Sequence, residues 1–301
     1  MDLIVADWGT SRFRAFRVRD GTVLDRVVSD EEGISELRAG QHEGVFRCHC
    51  GPWLAAWPAA PVLLVGMVGS REGWREARYV PCPAGPAELA AALVPVDLGG
   101  GRQGHIVPGL IHEPAPGAVD VCRGEETLAL GSGVADGLVV MPGTHSKWAT
   151  LRAGRVAGFA SAMTGEMYAL LREHSMIGRP ATEPADEAGF LEGLTAADRN
   201  AGEHRTGLLH LLFGARAAVV GGRLSPAKLA PYLSGLLTGD EVNGLLALLG
   251  RPEQVTIVQN RERARHYAAA LDRLGIPAEI RDPEPALVAG ASRIAAALEA
   301  S

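Results

Sequence analysis

The hydrophobic pattern at the start of the chain predicts three consecutive strands. Residues 3–6 are all apolar, and residues 13–18 and 22–28 also have strand character. Residues 7–12 connect the first two segments and contain Gly9, so they predict a hairpin turn. The N-terminus is therefore expected to form a three-stranded meander.

A longer apolar run at residues 61–67 predicts a buried parallel strand. It leads into a glycine-punctuated loop at residues 66–75, and ligands in α/β sheets usually bind at this end of a strand. The intervening pattern predicts one further strand, at residues 105–110, and several helices. The helices are expected at residues 44–56 and 87–93 and from Glu125 onward.

The opening pattern recurs after about 134 residues. Strands are predicted at residues 138–141, 148–151 and 156–160, with a Gly-Thr turn at residues 142–147. A mostly helical stretch at 187–249 follows, and then a strand at 255–258 and helices at 262–274 and 284–298. The repeat predicts two domains, residues 1–134 and 135–301.

Composition narrows the class of protein. The chain has 301 residues, 47% of them hydrophobic, and a net charge of −6, so a large core is expected and a nucleic-acid surface is not. No apolar run approaches the roughly 18 residues of a membrane span, and the N-terminus lacks a signal-peptide pattern, so we expect a cytoplasmic protein. The four cysteines show no disulfide or metal spacing and are expected to be reduced.

The first turn contains groups suited to phosphate. Gly9 allows close backbone approach, Thr10 and Ser11 offer hydroxyl and N–H donors, and Asp7 is a candidate ligand for hydrated Mg²⁺. An ordinary hairpin connection has the same composition. The sequence of this turn alone leaves both interpretations open.

Three further positions carry candidate chemistry. Glu125 and Glu126 lie in the first turn of a predicted helix. Their carboxylates either only complement the helix dipole or one of them acts as a general base. Lys147, one of only two lysines, is either a surface residue or a positive charge near a phosphate. Gln259 and Asn260 follow a buried strand and suit either a nucleoside site or an ordinary strand–helix connection.

Taken together, these motifs resemble the 2-dehydro-3-deoxygalactonokinases, a branch of the actin-like ATPase and sugar kinase superfamily. The resemblance covers essentially the whole chain. It rests on seven segments in order: residues 7–14, 66–74, 106–110, 123–127, 141–148, 163–166 and 174–178. It implies an α/β, two-domain actin-like ATPase (ribonuclease H-like) fold with duplicated βββαβα cores and an active-site cleft between the domains.

The resemblance also implies an activity, the ATP-dependent phosphorylation of 2-dehydro-3-deoxy-D-galactonate on its 6-hydroxyl with Mg²⁺. By similarity, residues 7–11 are the first phosphate motif, with Asp7 near the metal, and residues 255–264 are placed like the adenosine motif. Gln259 and Asn260 stand there in place of the usual glycine pair. The second phosphate motif contributes Gly143, Thr144, His145 and Lys147, with Lys147 catalytic.

By similarity, Glu125 takes the position of the catalytic aspartate of related kinases and would accept the proton of the substrate hydroxyl, with Glu126 as the next candidate. Because the substrate carries a carboxylate, arginine is favoured for its recognition. Trp74 is either a stacking platform or a core aromatic, and Glu166 either binds hydroxyls or caps a helix. The candidate substrate residues are Arg71, Trp74, Arg75, Arg123, Glu126 and Glu166.

Other interpretations of the sequence remain open. A kinase of the same fold acting on a ketose or on 2-keto-3-deoxygluconate would share both phosphate turns. An ATP or polyphosphate hydrolase would need no sugar acceptor, and a sensor would need no base. The expected partner is a small-molecule sugar acid, with no nucleic acid or membrane, and a homodimer is possible.

Overall fold

The computed structural model describes residues 1–202 and 206–300. Contacts group them into two compact units. Unit 1 contains Met1–Val139, Ala149–Phe159 and the described residues from Arg281 onward, and unit 2 contains Val140–Trp148 with the described part of Ala160–Ile280. The functional division at residues 134 and 135 stays a prediction.

Fourteen strands are defined within the described residues. They are β1 (Asp2–Trp8), β2 (Phe13–Arg19), β3 (Thr22–Ser29), β4 (Val62–Gly66), β5 (Val80–Pro81), β6 (Val94–Asp97), β7 (Gln103–Ile106), β8 (Leu110–Ala115), β9 (Ala118–Cys122), β10 (Gly137–Met141), β11 (Ser146–Arg152), β12 (Arg155–Ala162), β13 (Val255–Val258) and β14 (Ala278–Arg281).

Nine α-helices are defined in the same residues. They are α1 (His42–Ala56), α2 (Pro86–Ala91), α3 (Glu125–Gly131), α4 (Thr164–His174), α5 (Ala188–Ala201), α6 (Leu208–Val220), α7 (Pro226–Leu249), α8 (Arg261–Arg273) and α9 (Pro283–Glu299). None of the helices in the described ranges is long and apolar enough to cross a membrane. The four cysteines are free thiols, as predicted.

The first sheet has the strand order β3-β2-β1-β4-β7-β6. Strand β1 pairs antiparallel with β2 and parallel with β4, where Val5 lies opposite Phe16 and Leu63 respectively. Both β1 and β4 are inside the sheet and buried on both faces, which explains their continuous apolar sequence. The predicted meander and buried parallel strand are confirmed.

The second sheet has the order β12-β11-β10-β13-β14, and so repeats the meander followed by a crossover strand. Strands β10, β11 and β12 correspond to β1, β2 and β3. This duplication is the predicted α/β, actin-like ATPase architecture, and the repeat inferred from the sequence is confirmed. A third, small sheet has the order β5-β8-β9.

The prediction of one strand at residues 105–110 is wrong. The chain leaves the first sheet after Ile106 and enters the small sheet at Leu110, so the segment forms the end of β7 and the start of β8. Between them, Val107 still donates its N–H to Leu64 O at 2.8 Å, but Pro108 has no N–H to continue a ladder. Sequence hydrophobicity alone did not distinguish this break from a continuous strand.

Each unit has its own apolar core. In unit 1, Trp8, Phe13 and Phe46 pack in one buried cluster beneath the first sheet. In unit 2, leucines of α6 and α7, including Leu212 and Leu233, form another. Helix α9 belongs to unit 1, where it packs against α3, α2 and β1.

Candidate functional site

The first Gly-Thr turn follows the C-terminal end of β1. Asp7 lies opposite Arg14 of β2, and Arg14 Nη2 donates a hydrogen bond to Asp7 Oδ2. The turn is closed by the Gly9 N–H, which donates to Arg12 O at 2.9 Å. Asp7 therefore keeps a fixed orientation at the strand end.

A second segment holds the same turn from behind. Ile34 N–H donates to Gly9 O at 3.0 Å, and Ser35 N–H donates to Thr10 O at 2.9 Å. Gly33 is required here because a Cβ at this position would overlap the carbonyl oxygen of Thr10. Thr10 and Ser11 are exposed, so their hydroxyls face solvent and are available to a ligand.

Two glycines bring the start of α3 to the end of β1. Gly66 and Gly124 have φ values of 92° and 105°, which only glycine adopts readily. A Cβ built on Gly66 would lie 3.4 Å from Asp7 Oδ1, and one built on Gly124 would lie 3.3 Å from Gly66 Cα. Asp7 and the N-terminus of α3, at Glu125, are thereby neighbours within unit 1.

The two glutamates of α3 have different surroundings. Glu125 is partly exposed and accepts a hydrogen bond from Arg123 N–H at 3.1 Å. Glu126 is only 1% exposed and accepts hydrogen bonds from Gly124 N–H at 2.6 Å and Thr127 Oγ1 at 3.0 Å. Burial, and then the charge of Glu125, raises the pKa of Glu126 to about 7. Glu125 is thus the more accessible carboxylate.

The loop after β4 presents Trp74, a side chain that is partly buried. Its ring stacks on His42 with 6.2 Å between ring centroids and makes edge contacts with Trp8 at 6.4 Å. Trp74 is therefore a partly buried aromatic packed against the core of unit 1, and its stacking on a substrate stays a prediction.

The three candidate arginines differ in their partners. Arg71 is highly exposed and pairs with Glu76 at 3.2 Å, and Arg75 donates to Pro95 O at 2.8 Å. The Arg123 guanidinium lies 4.5 Å from the Tyr79 ring centroid, and its Nη2 donates to Ala77 O at 2.7 Å. Its Nη1 is buried and makes no hydrogen bond to the described residues.

In unit 2 the second Gly-Thr turn is exposed at Gly143, Thr144 and His145. His145 Nε2 lies 2.5 Å from Glu166 Oε2, and Glu166 N–H donates to Thr144 O at 3.0 Å. Gly165 packs so closely that a Cβ would overlap Gly143 O. Helix α4 therefore fixes this turn at its N-terminus.

The turn is shorter than predicted, because Ser146 and Lys147 belong to β11. Lys147 is only 5% exposed, and its Nζ donates to His145 O at 3.2 Å. The interpretation as a surface lysine is therefore wrong. Its ammonium group lies directly under the turn.

The residues that follow β13 hold the turn and start the next helix. Gln259 Nε2 donates to Pro142 O at 2.6 Å, and its Oε1 accepts from Asn260 N–H at 2.9 Å. Asn260 Oδ1 accepts from Arg263 N–H at 3.0 Å and caps α8. Their predicted contacts with a nucleotide stay a prediction.

A cavity of about 520 Å³ opens beside the second turn, wholly within unit 2. Phe190 and His266 form part of its wall, stacked with 4.2 Å between ring centroids. Burial, reinforced by the charge of Arg265, lowers the pKa of His266, so its ring is neutral at pH 7. Other lining residues are Gly143, Thr144, Thr164, Arg172, Glu183, Ser234, Thr238, Arg263 and Tyr267.

Comparison with known proteins identifies the family. The family model described as 2-keto-3-deoxy-galactonokinase matches residues 7–294, nearly the whole chain. The chain belongs to this family. A probable 2-dehydro-3-deoxygalactonokinase of Rhizobium meliloti (strain 1021) is 35% identical over 300 residues, covering 97% of this chain and 96% of the relative.

A second curated relative and a solved structure have the same enzyme name. The 2-dehydro-3-deoxygalactonokinase of Escherichia coli (strain K12) is 32% identical and covers 98% of each chain. The crystal structure of a candidate 2-dehydro-3-deoxygalactonokinase from Sinorhizobium meliloti has a TM-score of 0.83 at 33% identity, covering 99% of this chain and 98% of that one. The predicted family, and the prediction of a phosphotransferase, are confirmed.

Sequence reasoning about this galactonokinase-family chain missed the cavity. Its lining residues come from the second turn, the segment before α5, and helices α4, α5, α7 and α8, so no single local motif contains them all. One signal was present in α7, where Glu241 interrupts the apolar positions Leu237 and Leu245 at helical spacing. An acid on an apolar helix face indicates a buried partner.

Proposed function

We propose that this protein transfers the γ-phosphoryl group of ATP to the 6-hydroxyl of 2-dehydro-3-deoxy-D-galactonate. Family membership supports a sugar-acid kinase, and the names of both curated relatives support this substrate. The observation that carries the proposal is the close approach of Asp7, Gly66 and Gly124, which places the end of β1 beside the start of α3, where Glu125 lies.

Glu125 is proposed as the general base. Its Oε2 accepts the Arg123 N–H, which orients the carboxylate, and its partial exposure leaves it open to a substrate. The 6-hydroxyl oxygen attacks the γ-phosphorus, its proton passes to Glu125, and the bond to the β-phosphate oxygen breaks to release ADP. Glu126, buried behind it, supports the same helix turn.

In unit 1, the exposed hydroxyls of Thr10 and Ser11 are proposed to bind phosphate oxygens. In unit 2, the nucleotide is assigned to the second turn and the cavity. Gly143 and Thr144 are exposed there, and Lys147 places a positive charge beneath the second turn. The cavity adjoins that turn, and its volume of about 520 Å³ is within the usual range for ligand pockets. The nucleoside is therefore proposed to occupy it.

Magnesium fits Asp7. Arg14 contacts Oδ2, while Oδ1 lies on the side of Gly66. Mg²⁺ commonly binds proteins through one or two carboxylates and retains several waters, so a lone aspartate is an adequate protein ligand. When bound, the ion would neutralise charge on the phosphates.

The substrate carboxylate is assigned to Arg123, whose buried Nη1 makes no hydrogen bond to the described residues. Arg71 and Arg75 already have partners at the surface. Trp74 offers a fixed aromatic platform in the same unit. Glu126 and Glu166 are proposed only as supporting residues, because Glu126 is buried and Glu166 pairs with His145.

A coupled ADP-release assay tests the function. Purified protein with ATP and Mg²⁺ is screened against 2-keto-3-deoxygalactonate, 2-keto-3-deoxygluconate and simple ketoses, with an acceptor-free control. The highest kcat/KM is expected for 2-keto-3-deoxygalactonate. Preference for a ketose, or equal ADP release without acceptor, would refute the proposal in favour of another kinase or a hydrolase.

A further inference from the structure

Glu241 is a buried acid in the middle of α7, with 6% of its surface exposed. Its Oε1 accepts a hydrogen bond from Trp148 Nε1 at 2.7 Å, and its Oε2 accepts one from the Tyr267 hydroxyl at 2.7 Å. The Thr164 side chain also hydrogen-bonds this carboxyl group. Hydrogen-bond donors therefore reach both oxygens of this carboxyl group, an arrangement that suits a carboxylate ion.

The donors extend into a directed chain. Tyr267 donates its proton to Glu241, so the Ser146 hydroxyl, 2.7 Å from the Tyr267 oxygen, must act as the donor to it. Ser146 and Trp148 lie on one face of β11, and Lys147 points to the other because side chains alternate along a strand. One carboxylate thus fixes the first residues of β11.

The same contacts border the second turn and the cavity. Strand β11 begins directly after His145, and α4 begins at Thr164, two residues before Glu166, whose N–H binds Thr144 O at 3.0 Å. Thr164 and Tyr267 line the cavity itself. Glu241 therefore joins β11, α4 and α8, three elements that surround the turn.

Burying an unpaired carboxylate is expensive, and apolar residues of similar size often stabilise a core better. Burial raises the pKa of Glu241, and hydrogen bonds from neighbours that include Thr164, Trp148 and Tyr267 oppose that rise. The described residues provide donors, not a cation, to offset the cost. The stability of the core alone therefore does not explain a carboxyl group at position 241.

We propose that Glu241 is a positioning residue for nucleotide binding, which holds the Gly143–His145 turn and the Tyr267 wall of the cavity in the geometry that accepts ATP. The inference rests on the proposed function, since it takes the cavity and turn as the nucleotide site. Glu241 itself lies behind the cavity and touches the ligand only through its neighbours.

Glu241→Gln is the first test. The amide keeps the size of the side chain but turns an N–H₂ group toward a Trp148 or Tyr267 donor. Titration of ADP with Mg²⁺ by calorimetry should show at least a tenfold weaker affinity. In steady-state assays the KM for ATP should rise likewise, while the KM for the sugar acid stays within twofold of wild type. If Glu241 had a purely structural role, the variant would not raise the KM for ATP alone.

Tyr267→Phe is the second test and does not depend on Glu241→Gln folding. It removes only the hydroxyl that joins Ser146 to Glu241, and should also weaken ADP binding, by threefold or more. Tyr232→Phe is the matched control, because Tyr232 lies on α7 but outside the network and the cavity lining. It should bind ADP as wild type does.

The effects of Glu241→Gln and Tyr267→Phe should be less than additive in the double variant, because they break one shared hydrogen bond. Unchanged ADP affinity in both single variants would overturn the proposal, and so would equal changes in both KM values. Wild-type turnover of sugar acids is measured separately. If the wild type is active and Glu241→Gln binds ADP normally, only the role of Glu241 is refuted. If the wild type is inactive and does not bind ADP, the proposed function is refuted too.

Discussion

The two Gly-Thr turns follow equivalent strands but are held by different means. In unit 1, the turn is fixed mostly by backbone hydrogen bonds from Ile34 and Ser35, and the ion pair of Asp7 with Arg14 is partly exposed. In unit 2, side chains hold the turn together with one backbone hydrogen bond, from Glu166 N–H to Thr144 O. Gln259 binds Pro142 O, and Lys147 binds His145 O.

The two units also differ in the surroundings of their buried carboxyl groups. The fully buried acids of the described chain are Glu126 in unit 1 and Glu241 in unit 2. Glu126 is next to the proposed base, whereas Glu241 is joined to the walls of a cavity. The two units therefore share a topology but differ in the surroundings of their acidic side chains. We interpret this difference as proton transfer in unit 1 and nucleotide binding in unit 2.

The largest effect is expected from Glu125→Gln, which removes the base but keeps the size of the side chain. Turnover should fall by about 100- to 10,000-fold, the usual contribution of general-base catalysis. ADP affinity should stay unchanged, because the cavity lies in the other unit. The measurements are kcat with saturating substrates and calorimetric ADP binding. Near wild-type turnover would assign the base elsewhere.

The next prediction concerns stability. Because the folded-state pKa of Glu126 is about 7, against an ordinary value of 4.5, folding favours its protonated form. The free energy of unfolding should therefore fall as pH rises between these values, by about 3 kcal/mol at most. Glu126→Gln should lack this contribution. Urea unfolding at pH 5 and pH 8 measures the difference.

Glu36→Gln is the control for this experiment, because Glu36 is exposed and its variant should keep the wild-type pH dependence. Equal slopes for wild type and Glu126→Gln would mean that Glu126 does not titrate in this range.

A matched pair of glycine variants compares the turns directly. A Cβ on Gly33 would overlap Thr10 O, and one on Gly165 would overlap Gly143 O. Gly165→Ala should weaken ADP binding about tenfold, a cost of about 1.4 kcal/mol. Gly33→Ala should lower kcat by a similar factor with a smaller effect on ADP binding.

Gly214→Ala in α6 is the control for both, because a Cβ there meets nothing within 4 Å and should be neutral or slightly stabilising. If Gly33→Ala weakened ADP binding and Gly165→Ala did not, the division of roles between the units would be reversed.

The smallest effect is expected from Arg123→Lys. Lysine keeps the charge but loses the planar guanidinium that stacks on Tyr79, so the KM for the sugar acid should rise about fivefold. Arg75→Lys is the matched control and should change KM less than twofold. Equal KM values for wild type and Arg123→Lys would exclude Arg123 as the carboxylate ligand.

Continuous apolar runs made the central strands predictable. Strands β1, β4, β10 and β13 are buried along nearly their whole length, so their sequences contain little else. The helix start at Glu125 was also predictable, because Gly124 precedes two acids. These are local signals, and they gave most of the fold.

The cavity was not predictable in this way. Phe190 and His266 are 76 positions apart in the sequence and meet only because α5 and α8 lie together in unit 2. Likewise, the burial of Lys147 depends on the register of β11, which begins one residue earlier than the predicted turn would end. Long-range packing decides both.

Helix α9 has a consequence for synthesis. It packs against β1, α2 and α3, yet Pro283–Glu299 are synthesised long after all three elements. The core of unit 1 therefore stays incomplete until α9 has been made, and a nascent chain that ends before residue 283 leaves the apolar surfaces of α3 and β1 uncovered. Deletion of α9 should thus impair the folding of the N-terminal sheet.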